Sequence, residues 1–294
     1  MPQVSANGIQ IEHDSFGDPA HPPLLLIAGL GRQLVFWDEE FCRSLAERGF
    51  YVIRFDNRDT GLSTKFESAG VPDTMAIYNS LMQGEEVKVP YILDDMADDS
   101  AGLLDAIGID KAHICGVSMG AAITQIIGYR HPDRVLSLIP VMGTTGNPEL
   151  PLPSQEAMDM LLSPAPEERS AYIEHTVKIM KTFWGKFVFD EDEARQKAAL
   201  EYDRCFYPQG LTRQLAAIFV HGNRKPMLAS VTAPTLVIHG SEDPVVPVEG
   251  GRDTAEAIEG ARIRIIEGMG HSLPRDVWPK IVDSITDHAA SNKV

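Results

Sequence analysis

The segment Gly116-Val117-Ser118-Met119-Gly120 carries the sharpest chemical signal in the chain. It follows the apolar run AHICGV and precedes MGAAITQIIGYR, which reads as a helix. A serine on so cramped a strand-to-helix turn needs neighbours without a Cβ two residues away on either side. The helix start then offers the Met119 N–H and partial positive charge to an oxyanion. The bland reading is a chance G-x-S-x-G in a tight turn, and the strand before and helix after disfavour it.

A neutral serine is a poor nucleophile, so it needs a base and an acid that orients the base. The elbow pattern calls for the acid first and the histidine later in the chain. After the apolar run Thr235–Gly240 comes SEDPVVP, which puts Asp243 at a strand's carboxyl end, with Glu242 as second choice. The plain alternative for either is an exposed turn acid. After the run Arg262–Glu267 comes Gly268-Met269-Gly270-His271. Imidazole accepts and returns a proton near neutral pH, and flexible glycines let it meet the serine. Of the nine histidines, His21, His131 and His175 read as loop or surface residues, and His113 and His239 as satisfied strand residues. Only His271 has the right order and setting. A second oxyanion donor belongs in the loop after the early strand, LLLIAGLG, where Gly29 and Gly31 admit close approach and the Leu30 N–H is the candidate. The competing reading there is simple turn chemistry.

The elements that must position these groups follow from periodicity. Strands are expected at Ile9–Phe16, Leu24–Ala28, Tyr51–Asp56, Ala112–Val117, Val135–Val141, Thr235–Gly240 and Arg262–Glu267. Several are apolar almost throughout, as strands buried on both faces are. Helices are expected around Val35–Arg48, Leu93–Ile107, Met119–Arg130, Asp253–Ile258 and Val277–His288. Such alternation predicts an α/β fold with a mostly parallel sheet flanked by helices. Between about Asn147 and Ala229 the chain turns Pro-rich and then helical (Glu167–Trp184, Asp190–Phe206, Leu211–Phe219), which reads as an inserted helical cap. The expected organisation is core 1–146, cap 147–229 and core 230–294. Lys65–Pro90 is too long for an ordinary βα loop and is expected to border the site.

Composition narrows the classes. With 26 Lys+Arg against 42 Asp+Glu the net charge is −16, which disfavours nucleic acid as a partner. Cys42, Cys115 and Cys205 lie far apart without metal-ligand spacing and read as reduced thiols; Cys115 reads as a small packed apolar side chain. The start shows no basic and apolar leader pattern, and the strongest apolar stretch, Leu24–Leu30, is far short of the ~20 residues of a membrane span. The expected location is the cytoplasm. Asp94, Asp95, Asp98 and Asp99 could be taken for metal ligands, but they begin a helix and read as its solvated start. Neither a metal nor an organic cofactor is required. Phe36 and Trp37 follow the oxyanion loop and are candidates for lining an apolar substrate pocket, core packing being the alternative. The sequence carries no signal of oligomeric state.

Taken together, GVSMG, GSEDPVVP and EGMGHSLP resemble the serine α/β-hydrolase superfamily in order and context. FGDPA, FDNRDTGLS, SMGAAITQ and GMGHSLP are similar to the esterase group that includes aclacinomycin methylesterase, over roughly Gly8 to Pro274 and more thinly in the cap. The resemblance implies Ser118 as nucleophile, Asp243 as acid, His271 as base, and Leu30 and Met119 as backbone oxyanion donors. Many relatives carry His-Gly before the oxyanion residue; here the pair is Ala28-Gly29. Asp56, Arg58 and Asp59 in FDNRDTGLS read as ion-pair braces of that loop. The expected activity is a serine carboxylesterase acting on a small to medium ester. Lactonase, carbon–carbon bond hydrolase, acyltransferase and perhydrolase activities are alternatives, as is a non-hydrolysing ligand receptor. A serine at the elbow disfavours haloalkane dehalogenase and epoxide hydrolase, whose relatives place Asp there.

Overall fold

The near-continuous apolar runs form strands buried on both faces, and the helices between them cover a single sheet. The computed structural model describes residues 2–291; Met1 and the last three residues of the 230–294 segment lie outside the described residues. The chain runs β1 (Gln3–Ala6), β2 (Ile9–Phe16), β3 (Pro23–Ile27), α1 (Glu39–Glu47), β4 (Tyr51–Phe55), α2 (Thr74–Met82) and α3 (Leu93–Ala106). It continues through β5 (Ala112–Val117), α4 (Met119–Arg130) and β6 (Val135–Val141). Five helices follow before the next strand: α5 (Gln155–Leu161), α6 (Arg169–Phe183), α7 (Glu191–Arg204), α8 (Pro208–His221) and α9 (Lys225–Leu228). The chain closes with β7 (Leu236–Gly240), α10 (Val248–Ala257), β8 (Arg262–Ile266) and α11 (Trp278–Ala290).

The eight strands lie in the order β1-β2-β4-β3-β5-β6-β7-β8, with only the β1–β2 and β2–β4 pairings antiparallel. Successive residues of β3 serve opposite layers. Leu25 and Ile27 pack with Met96, Leu103, Ile123 and Ile126 of α3 and α4. Leu24 and Leu26 pack with Phe41 and Leu45 of α1 and with Ile281 and Ile285 of α11. Each such side chain, fully withdrawn from water, contributes roughly 1.5–3 kcal/mol. This two-sided burial is what fixes the central strands, and the carboxyl ends of β3, β5, β7 and β8 all open onto one edge. No helix among the described residues is long and apolar enough to cross a membrane.

The expected spans Ile9–Phe16, Ala112–Val117, Val135–Val141 and Met119–Arg130 match the observed elements residue for residue. The edge strand β1 has no counterpart in the sequence reading, nor do α2, α5 and α9.

Candidate active site

At the end of β5 the backbone turns so tightly that Ser118 takes φ 55°, ψ −116°, outside the regions an ordinary residue occupies. Surrounding contacts hold it there. The Ser118 N–H donates to the Val141 carbonyl at 3.0 Å, and its own carbonyl accepts from Ala121 at 2.9 Å. A Cβ on Gly116 would stand 2.1 Å from the Gly120 carbonyl oxygen, and one on Gly120 would stand 2.3 Å from that of Ile27. Both glycines are therefore sterically required, as the motif predicts.

The turn presents the serine to the β7 and β8 ends. Ser118 Oγ lies 2.9 Å from His271 Nε2, and His271 Nδ1 lies 2.7 Å from Asp243 Oδ2. An anionic oxygen facing Nδ1 keeps the proton on that nitrogen and leaves the Nε2 lone pair for the serine hydroxyl. Asp243 is held as firmly: its Oδ1 accepts the N–H groups of Val245 at 2.9 Å and Val246 at 2.8 Å. Burial by itself would raise this carboxyl. The charge of His271 and hydrogen bonds from His239 and His271 outweigh that, so it sits below the ordinary carboxylate range. Glu242, the second-choice acid, instead turns outward to pair with Lys186 at 2.5 Å.

Met119 is the first residue of α4, so its N–H has no carbonyl four residues back within the helix. The loop after β3 passes beside the serine, with the Gly29 Cβ position 3.4 Å from Ser118 Cβ. In that loop the Gly31 and Arg32 N–H groups are committed to Gln214 Oε1 and the Gly29 carbonyl. Further along, Asp56 Oδ1 accepts the Leu34 N–H at 2.7 Å, and Asn57 Nδ2 donates to the Ala28 carbonyl at 3.2 Å.

The braces from FDNRDTGLS reach farther than the oxyanion loop. Arg58 forms a two-point pair with Asp99 on α3, at 2.6 and 2.8 Å. Asp59 pairs in the same way with Arg213 on α8, at 2.8 and 2.9 Å, and also accepts from the Tyr91 hydroxyl. The reading of the acidic helix start as solvated is corrected here. Asp95 accepts the Ile92 N–H as a first-turn acid does, but Asp99 is buried against Arg58, and Asp98 is bound by Arg130 and His131. Trp37 requires a correction too. It is 2% exposed and stacks on Phe41 at 5.8 Å within the core, so it has no face to offer a substrate. Phe36 is half-buried with the Arg32 guanidinium over its ring. Cys115 is buried in the core.

Three groups at the site left no local trace in the sequence. His239, in β7, points its Nε2 at the Val246 carbonyl at 2.8 Å and stands 3.5 Å from Asp243 Oδ2. The α6–α7 turn pairs with the histidine loop: the His271 N–H donates to the Phe183 carbonyl at 2.7 Å, Lys186 N–H to that of Gly268 at 2.8 Å, and the Phe183 ring meets the imidazole edge-on. The third is Gln214 on α8. Only the strand position of His239, four residues before Asp243, could have pointed to any of them.

Residues 22–274 match the family model described as alpha/beta hydrolase fold. The chain is 30% identical over 319 aligned positions to a rhodomycin D methylesterase of Streptomyces sp. (strain C5), covering 99% of this chain and 98% of that one. It is 30% identical over 312 positions to the rhodomycin D methylesterase of Streptomyces peucetius, with the same coverage. The solved structure of a meta-cleavage product hydrolase from Pseudomonas fluorescens IP01 superposes with a TM-score of 0.76 at 18% identity, covering 100% of this chain and 98% of that chain; this likeness concerns fold alone.

Proposed function

The chain belongs to the alpha/beta hydrolase fold family, and from that premise we propose that it is a serine carboxylesterase working through Ser118, His271 and Asp243. The observation that carries the reading is the unbroken hydrogen-bonded chain from Ser118 Oγ through both nitrogens of His271 to Asp243, at 2.9 and 2.7 Å. Full-length similarity to two methylesterases supports an ester as the bond cleaved.

In this mechanism Ser118 Oγ attacks the ester carbonyl carbon while His271 Nε2 takes the hydroxyl proton, and Asp243 steadies the imidazolium. The carbonyl oxygen becomes an oxyanion held by the Leu30 and Met119 N–H groups. Collapse breaks the acyl–alkoxy bond, and His271 returns its proton to the departing alcohol. Water then attacks the acyl-enzyme with His271 again as base, releasing the acid and restoring the serine. Every step uses side chains and backbone of this chain. Residues 147–229 serve as a cap over the site, and Phe36 is the remaining side chain proposed to line it. Three cysteines outside any disulfide fit a cytoplasmic location.

Turnover of p-nitrophenyl butyrate by the wild type and by Ser118→Ala tests the proposal. Loss of the nucleophile should lower kcat by orders of magnitude, and similar rates in the two proteins would remove Ser118 from the mechanism. The same panel extended to lactones and carbon–carbon substrates separates the ester reading from the alternative hydrolase activities.

A further inference from the structure

The loop that carries the Leu30 N–H is held from a helix nearly two hundred residues later. Gln214, on α8, has no exposed surface. Its Oε1 accepts the Gly31 N–H at 2.8 Å, and its Nε2 donates to the Arg58 carbonyl at 2.8 Å and to Thr60 Oγ1 at 2.7 Å. Both donor hydrogens and one acceptor position of the amide are thus used, which fixes its orientation. Leu211, one helical turn earlier, closes the same contact: a Cβ on Gly31 would stand 2.9 Å from Leu211 Cδ1. Gln33, two residues beyond Gly31, reaches back to α7 and the segment after it, donating to the Glu201 carbonyl at 2.7 Å and the Cys205 carbonyl at 2.9 Å.

The Gly31 N–H belongs to the peptide unit that begins at the Leu30 carbonyl. Anchoring it fixes the plane on the carboxyl side of Leu30, while the Gly29 carbonyl is tied to the Arg32 N–H at 3.2 Å on the other side. The Leu30 N–H shares a planar amide with the Gly29 carbonyl, so its direction is set by that unit and by how it joins, at the Leu30 Cα, the unit that Gln214 holds. Of the two anchors, only the Gly31 anchor comes from outside the loop.

We infer that Gln214 is a positioning residue for ester hydrolysis, aiming the Leu30 N–H at the oxyanion through the Gly31 amide, so that helix α8 is part of the catalytic frame. This rests on the serine-esterase reading with Leu30 as a donor. An oxyanion donor acts on charge that develops in the transition state, so misaiming it lowers kcat and spares KM.

The test uses the full-length enzyme with p-nitrophenyl butyrate, and a trifluoromethyl ketone with the same acyl chain, whose serine adduct places an oxyanion in the hole. Gln214→Met keeps the length and removes every hydrogen bond. Gln214→Asn keeps the amide but draws it back by one methylene, and it carries the test if the Met variant does not fold. Either folded variant should lose about 10- to 100-fold in kcat, a share of the ~10²–10³ that such a donor is worth, with KM within about threefold. The inhibition constant of the ketone should rise by the same factor as kcat falls. A folded variant with kcat within about threefold of wild type, or with lower kcat and an unchanged ketone inhibition constant, overturns the proposal. Fluorophosphonate labelling of Ser118 separates the two levels: failure to label the wild type sinks the serine reading, whereas normal labelling with either contrary result sinks only the role of Gln214.

Discussion

Replacing Asp243 by Asn exchanges a carboxylate for an amide of nearly the same shape, and the surrounding hydrogen bonds dictate how the amide sits. Oδ1 accepts two backbone N–H groups, from Val245 at 2.9 Å and Val246 at 2.8 Å, so the amide oxygen must take that side. The NH2 then falls where Oδ2 stands, 2.7 Å from His271 Nδ1. A donor facing Nδ1 moves the imidazole proton to Nε2, the nitrogen 2.9 Å from Ser118 Oγ. The base then meets the serine with its proton already in place and cannot take another. In the general serine-triad template this wrong-tautomer substitution costs about 10⁴ in kcat, equivalent to roughly 5.5 kcal/mol of barrier at about 1.4 kcal/mol per decade. Initial rates of p-nitrophenyl butyrate hydrolysis near neutral pH, with thermal unfolding to check the fold, measure the effect. Glu242→Gln is the matched control. It removes only a partly exposed pair with Lys186, and kcat should stay within about twofold. A loss below about tenfold in Asp243→Asn, or a larger loss in Glu242→Gln, would refute the assignment of the acid.

Two further predictions concern the frame. Arg213 and Asp59 form a buried two-point pair with side chains 1% and 0% exposed, so Arg213→Met leaves a buried carboxylate short of its partner. Denaturant unfolding should show a loss of about 3–5 kcal/mol, and a change under about 1 kcal/mol would contradict the picture of α8 locked onto the 56–64 loop. The second concerns pH: burial pushes His113 and His221 down to about 4, below the usual histidine range. Between about pH 6.5 and 4 the unfolded chain binds protons that these two refuse in the native state, so native stability declines as pH falls through that window. The double variant His113→Gln/His221→Gln should show a flatter dependence of unfolding free energy on pH there, and an unchanged slope would count against it.

What sequence could show divides along physical lines. The strands β5 and β6 and helix α4 are readable to the residue because the strands are apolar on both faces and the glycines flanking Ser118 mark where extended chain gives way to helix. The edge strand β1, four residues of which two are exposed, has no such run; the short α5 lies between Pro153 and Pro164, and α9 carries Pro226 in its first turn, so both read as loop. Asp99 misleads for a related reason. Helical position alone makes it a first-turns acid, while its burial depends on Arg58, 41 residues earlier. Trp37 carries no mark that tells a core stack from a pocket wall. Gln214 and Gly31 are 183 residues apart, and the Phe183 contact with the histidine loop runs through a backbone carbonyl, which every residue has. Residue type and order point to the groups proposed to react; the supports that aim them arise only from the folded arrangement.

Fluorophosphonate modification followed by mass mapping asks most directly whether a single hydroxyl has been made reactive by its neighbours. One adduct per chain, on the peptide containing Ser118, that disappears in Ser118→Ala and is slowed by orders of magnitude in His271→Ala is the expected outcome. An unlabelled wild type, or labelling that persists at the same rate without the imidazole, would contradict it.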